Sequence, residues 1–257
     1  MLSLERIYEE LNKLGVKPPK ILFYQETDST NTRAKEYAEG ASSRESVIFI
    51  ANSQTAGRGR LGRSFVSEAG AGIYMSILTY PTESGFDATK VTAESAVRLC
   101  HAVESLCDCK IKVKWVNDLY LGGKKLAGIL TEGRLGEGGK IAYQVVGMGI
   151  NVYKNAISNE ISTIATSLES EIGSVPDRSV LAARMIYETL TETDCFEEYK
   201  ARSLVIGQDV TVVKSTGSYN AKVIDVNPDY SLKLIVDGKE EKLFTGEVSI
   251  RKVSIRI

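Results

Sequence analysis

The stretch that most limits what this chain can fold into is Gly57-Arg58-Gly59-Arg60-Leu61-Gly62-Arg63-Ser64. It matches the G-x-G-x-x-G fingerprint of dinucleotide-binding folds. It also falls one residue short of a P-loop, with Arg63 where that loop has lysine. Both motifs need a strand before the loop and a helix after it, because the phosphate rests on the helix N-terminus. The apolar, β-branched run Val47–Ala51 predicts the strand. The next segment, Phe65 to Gly72, is broken by glycines and leads into a second strand at Ile73–Thr79. The required helix is missing, so both nucleotide-binding folds are set aside. The loop keeps its physical content: glycines let backbone N–H groups approach a ligand, and arginine forks suit phosphate and carboxylate. The same composition also suits a solvated, flexible loop.

Charge placement favours a small anionic ligand. The chain of 257 residues carries a formal net charge of −1, without the basic excess of a general nucleic-acid binder. Yet segment 46–67 holds Arg58, Arg60 and Arg63 with no acid, and segment 109–131 sets Lys110, Lys112, Lys114, Lys124 and Lys125 against Asp118 alone. With 43% hydrophobic and 25% charged residues the composition is that of an ordinary globular protein. The longest uncharged stretch, Ile141 to Tyr153, is shorter than the roughly 20 residues of a membrane span. Charges at Glu5, Arg6, Glu9 and Glu10 interrupt any signal-peptide core. Cys100, Cys107, Cys109 and Cys195 match neither a disulfide framework nor, with His101, a standard zinc spacing. The expectation is a cytoplasmic protein with reduced thiols, no metal site built from its own side chains and no membrane partner.

Periodicity predicts helices over 4–14, about 29–38, 88–107, 161–171 and 179–199. It predicts strands over 21–25, 47–51, 73–79, 111–115, 126–131 and 141–151, with turns at Asn117-Asp118 and Gly122-Gly123. After about Ser203 the texture changes to five short β-rich runs separated by Gly, Asn, Asp or Pro. The expected architecture is α+β: a catalytic domain over 1–202, with a mixed sheet packed by helices, and a small C-terminal SH3-like barrel over 203–257.

Five stretches in this order resemble the biotin protein ligases. They are Glu26-Thr27-Asp28-Ser29-Thr30-Asn31, Gln54-Thr55-Ala56-Gly57-Arg58-Gly59-Arg60, Lys114-Trp115-Val116-Asn117-Asp118, Lys125-Leu126-Ala127-Gly128-Ile129-Leu130 and Gly147-Met148-Gly149-Ile150-Asn151. The resemblance implies a class II synthetase-like fold and a two-step reaction. Biotin and Mg²⁺-ATP give biotinyl-5′-AMP, and the acyl group then passes to a lysine of a biotin carboxyl carrier protein domain. It implies that Ser29, Thr30, Asn31, Gln54 and Gly128 line the biotin pocket. Arg58, Gly59 and Arg60 would close over the carboxylate side, with Lys125 at the reacting carboxylate and phosphate. Asn117, Asn151, Arg251, Trp115 and Phe65 would meet the nucleotide together with Arg58, Arg60 and Lys125. Arg60, Lys125 and Asp118 are the catalytic candidates, Asp118 as organiser of the acceptor lysine or of Mg²⁺.

Two departures stand out: Val116 occupies a position where the family usually has proline, and Ser64-Phe65 replace a basic residue and tryptophan. Both are expected to alter affinity without abolishing function. Only about 25 residues precede the first motif, too few for the DNA-binding domain of repressor-type members, so no operator binding is expected. A lipoate or octanoate ligase of the same fold should lack Arg58-Gly59-Arg60, and a biotin sensor without catalysis would not need that phosphate clamp. An edge strand of the central sheet offers a surface for a homodimer.

Overall fold

The computed structural model describes residues 2–81, 87–191, 194–214 and 217–250. Helix α1 (Leu4–Lys13) is capped by Ser3, whose hydroxyl accepts from Arg6 N, and it buries Ile7 and Leu11. The chain then turns through Gly15 at φ +72 into strand β1 (Lys20–Tyr24). Helix α2 (Thr30–Gly40) crosses from β1 to its parallel neighbour β2 (Val47–Ala51). Strand β3 (Gly72–Thr79) returns antiparallel beside β2. After helix α3 (Ala88–Glu104) come β4 (Lys112–Lys114), β5 (Asp118–Leu121), β6 (Lys124–Leu135) and β7 (Ile141–Asn151). The seven strands lie in the order β1-β2-β3-β7-β6-β5-β4.

The apolar runs of β2 and β3 are explained by burial on both faces. Ile48, Ile50 and Met75 join α3 and helix α5 (Arg178–Leu190) in the main core. Val47, Phe49 and Leu78 pack with Ala34 of α2 and with Tyr143 and Val145 of β7. Alternate residues of each strand therefore serve opposite layers.

Two predicted helices differ. The 161–171 segment forms only a 3₁₀ turn at Asn159–Ile161 and a short helix α4 (Leu168–Ile172). Between them the backbone is taken by β6: Lys125 N donates to Ile164 O at 2.9 Å and Thr166 N to Lys125 O at 2.8 Å. Those partners outcompete a local helix, and Ser167 then caps α4. The predicted 179–199 helix is two, α5 and α6 (Phe196–Arg202), with Asp194 Oδ1 receiving Phe196 N at 3.1 Å.

The C-terminal residues form β8 (Asp209–Lys214), β9 (Gly217–Val226), β10 (Leu232–Val236), β11 (Lys239–Leu243) and β12 (Glu247–Ile250). They make one antiparallel sheet in the order β11-β10-β9-β8-β12, and among the described residues its two edges, β11 and β12, do not pair. A five-stranded sheet therefore stands where a closed barrel was expected. Asp237-Gly238, both at positive φ, make the tight β10–β11 turn. The sheet is fastened to the larger unit at Tyr230, which stacks edge-on to Phe196 and Tyr199 and accepts from Trp115 Nε1 at 2.8 Å.

Candidate functional site

Cross-strand partners share a face of a sheet, and one such face carries unusually small residues. Ser76 of β3 pairs with Gly147 of β7, which pairs with Leu130 of β6; Tyr74 pairs with Gly149, which pairs with Gly128. The result is a trough across three strands. A Cβ on Gly147 would overlap the Asn31 amide, and one on Gly149 would stand 2.6 Å from the Phe65 ring. The glycines admit Asn31 and Phe65 against the sheet and leave a cleft between them.

One wall is the start of α2. Ser29, Thr30 and Asn31 are each 3% exposed. Ser29 occupies the cap position, but its hydroxyl makes no cap bond. Gln54 does that work from another segment: its Oε1 accepts from Thr30 N at 2.8 Å, and its Nε2 donates to Ser67 Oγ at 2.9 Å. Ser29 Oγ is thereby spared for the cleft. Asp28 closes the corner, accepting from Ser29 N at 2.6 Å and pairing with Arg33. Although burial opposes ionisation there, those partners hold the Asp28 carboxyl below its ordinary range.

The opposite side is the glycine–arginine loop, folded as a narrow flap. Gly59 N donates to Arg63 O at 2.7 Å and Phe65 N to Gly57 O at 2.9 Å, while Leu61 and Gly62 turn the tip at φ +55 and +75. Arg60 donates to Asn117 Oδ1 at 3.1 Å and to Gly246 O at 3.0 Å. Arg63 grips Glu247 with two bonds of 2.6 Å, and Arg58 lies 3.5 Å from Glu132. No helix follows the loop, as the sequence pattern requires.

The cleft floor ends at Lys125, whose Nζ stands 2.6 Å from Asp118 Oδ1. The two side chains are partly exposed, 34% and 22%, while the paired oxygen Asp118 Oδ1 is itself buried. Asn117 is locked between strands, its Nδ2 donating to Ile129 O at 3.0 Å. The cleft volume is about 110 Å³ with the flap in contact with Asn117, Gly246 and Glu247.

The cleft brings together Ser29, Thr30, Asn31, Gln54, Arg58, Gly59, Arg60, Phe65, Asn117, Asp118, Lys125 and Gly128. Trp115 and Asn151 are not on its lining. Trp115 is 3% exposed and donates its indole N–H to Tyr230 O, which ties it to the C-terminal sheet. Asn151 is 6% exposed and donates to Thr166 O at 3.1 Å. Arg251 lies outside the described residues. Sequence reasoning missed Ser76, Glu132 and Glu247. Ser76 was detectable as a lone hydroxyl inside an apolar strand; Glu132 continues the Gly128–Leu130 alternation. Nothing local marks Glu247.

Comparison with known proteins gives one answer. The family model described as "Biotin/lipoate A/B protein ligase family" matches residues 23–151. The bifunctional ligase/repressor BirA of Bacillus subtilis is 26% identical over 249 residues, covering 93% of this chain and 76% of that protein. The biotin--[acetyl-CoA-carboxylase] ligase of Mycobacterium tuberculosis is 28% identical over 236 residues, covering 87% of this chain and 86% of its own length. Among solved structures, the biotin protein ligase from Aquifex aeolicus in complex with biotin and ATP superposes with a TM-score of 0.74. It is 27% identical, with 91% of this chain and 99% of that one covered.

Proposed function

The chain belongs to the biotin/lipoate A/B protein ligase family, and on that premise we propose how its cleft activates biotin with ATP and passes the acyl group to a carrier lysine. The observation that carries the reading is the meeting of two chemistries across one glycine floor. A polar wall of Ser29, Thr30 and Gln54 faces a cationic mouth of Arg58, Arg60 and Lys125. A cyclic urea suits the wall, where a donor and acceptors stand side by side. The valerate tail lies along the glycine trough, which brings its carboxylate to Lys125.

In the first step a biotin carboxylate oxygen attacks the α-phosphorus of ATP, and pyrophosphate leaves. Both reactants are anions, so cations must offset their repulsion before the bond can form. Lys125 exchanges Asp118 for the reacting oxygens, and Arg58 and Arg60 turn from Glu132 and Asn117 to the phosphates. Asp118 is the carboxylate beside Lys125 that would hold a Mg²⁺ ion, and such an ion would supply charge neutralisation. The flap shields the mixed anhydride from water. In the second step Asp118, freed from Lys125, accepts a proton from the incoming lysine amine as it attacks the acyl carbon and AMP departs. The acceptor is a biotin carboxyl carrier protein domain, as the name of the mycobacterial relative suggests for that protein. We read the five short antiparallel strands after Ser203 as an SH3-like unit that buttresses the flap through Gly246 and Glu247. We read β1, the free edge of the large sheet, as a surface on which a second copy could pair.

The test is biotin-dependent pyrophosphate release from ATP, with octanoate as a competing acid. Release with biotin alone is expected, and Arg60→Ala should lower it about 10²–10³-fold, the usual effect of removing one charge-stabilising donor. Release with octanoate alone would move the protein to the lipoate branch of the family. Tight biotin binding without release would leave a sensor.

A further inference from the structure

A chain of buried and half-buried polar groups runs behind the cleft wall, and two of its members, Ser76 and Glu132, touch neither reactant in the proposed reaction. Glu132 Oε2 accepts from Asn31 Nδ2 at 2.9 Å, and Oε1 receives Lys35 Nζ at 2.9 Å. Asn31 Nδ2 also donates to Leu130 O at 3.3 Å. The amide is thus fixed with Oδ1 toward Ser76 Oγ, 2.6 Å away. Ser76 is wholly buried, and its Oγ is also 2.7 Å from Thr30 Oγ1. Thr30 Oγ1 in turn lies 3.1 Å from Gln54 Oε1.

Hydrogen counting gives the chain a direction. Asn31 Oδ1 and Gln54 Oε1 carry no hydrogen, so two hydroxyl hydrogens serve three oxygen contacts. Oxygens as close as 2.6 and 2.7 Å need a hydrogen between them. Gln54 Oε1 already holds the Thr30 N–H. The hydrogens therefore fill the two shortest contacts: Ser76 donates to Asn31 and Thr30 donates to Ser76. Thr30 Oγ1 is left as an acceptor on the cleft, beside Gln54 Nε2, which has one N–H beyond its bond to Ser67.

We propose that Glu132 and Ser76 are positioning residues that act through Asn31 to hold Thr30 as a hydrogen-bond acceptor, selecting a urea N–H at that point of the cleft. This deepens the ligase reading and rests on it. Burial works against ionisation of Glu132. The Asn31 bond and the Lys35 and Arg58 charges nevertheless keep its carboxyl below the ordinary range. It therefore accepts from Asn31 and does not donate. An amide in its place could present either end, and the direction of the chain would no longer be fixed.

The experiment is steady-state pyrophosphate release with Ser76→Ala, Glu132→Gln and the double variant. Biotin and biotins methylated on one or the other ureido nitrogen serve as substrates. Each single variant should raise the biotin KM about tenfold, the size of one hydrogen bond lost. In Ser76→Ala the kcat and the ATP KM should stay within about twofold, and for the biotin KM the double variant should be no worse than the worse single one, since the chain acts as a unit. For the methylated biotin whose blocked nitrogen faces Thr30, the variants should change KM less than twofold. An unchanged biotin KM in both single variants overturns the proposal. So do additive losses that track a falling melting temperature and affect all three substrates alike, because those mark packing alone. A wild-type protein that releases no pyrophosphate with biotin removes the ligase reading, and this inference with it.

Discussion

At the residue scale the cleft is made by side chains that are absent as much as by those present. Gly147 and Gly149 are two apart on β7 and so open the same face. Gly147→Ala should cost about 1–3 kcal/mol by overpacking and weaken biotin binding at least tenfold, because its Cβ displaces the Asn31 amide. Calorimetric titration with a thermal melt checks both; unchanged affinity would mean that the wall yields without consequence. Lys125 is the complementary case, a charge that must be present. Lys125→Met should reduce adenylation about 10²–10³-fold in single turnover while leaving the ring pocket intact, so biotin binding should suffer far less than rate. Equal losses in both would place Lys125 in ground-state binding only. Most of these positions were legible in the sequence because they cluster in short motifs. Ser76 and Glu132 carry only faint local signals, because the partner that gives them their proposed role, Asn31 of α2, lies 45 and 101 residues from them in the chain.

At the element scale the flap is held from outside its own segment. Its tip has Leu61 69% exposed, so little apolar burial anchors it, and polar contacts to β12 and its approach do the holding. The Arg63–Glu247 pair is an exposed contact, with Arg63 67% accessible. Glu247→Ala should therefore change stability by less than about 1 kcal/mol. It should, however, hasten tryptic cleavage at the flap arginines, read by mass spectrometry of timed digests; an unchanged rate would show that Arg60 suffices. One of the two helices that sequence periodicity misplaced has a clear competitor for its backbone. Residues 162–166 have a helix-like pattern, but Ile164 and Thr166 give their backbone groups to Lys125. That strand-like contact fixes the position of the Lys125 main chain. Local propensity is a weak prior when a distant strand offers hydrogen bonds.

At the scale of the whole molecule a single apolar cluster runs from α1 through the large sheet to the C-terminal sheet. It is supplemented by a charged knot in which Arg202 bonds both Glu104 and Glu198 and His101 meets Glu198 at 2.7 Å. Burial opposes ionisation of both glutamates, yet their bonds to Arg202 hold each below the ordinary value of 4.5. Depressed folded values mean that the unfolded chain binds more protons as pH falls. The stabilisation is complete above 4.5 and is lost as pH drops through the folded values. Arg202→Ala should cost about 3 kcal/mol near neutrality and flatten the acid limb of the stability curve. Urea melts from pH 7 downward would reveal it, and an unchanged acid slope would assign acid unfolding to other carboxylates. The sequence by itself determined the sheet-rich α+β class, the exclusion of the two phosphate-loop folds and most cleft residues. Each of these is written in local periodicity or in a contiguous motif. Tertiary structure alone decided that Trp115 is a fastener, that Gln54 caps a helix it does not belong to, and that Glu247 reaches the flap. Those roles depend on distances between segments, which sequence spacing does not encode.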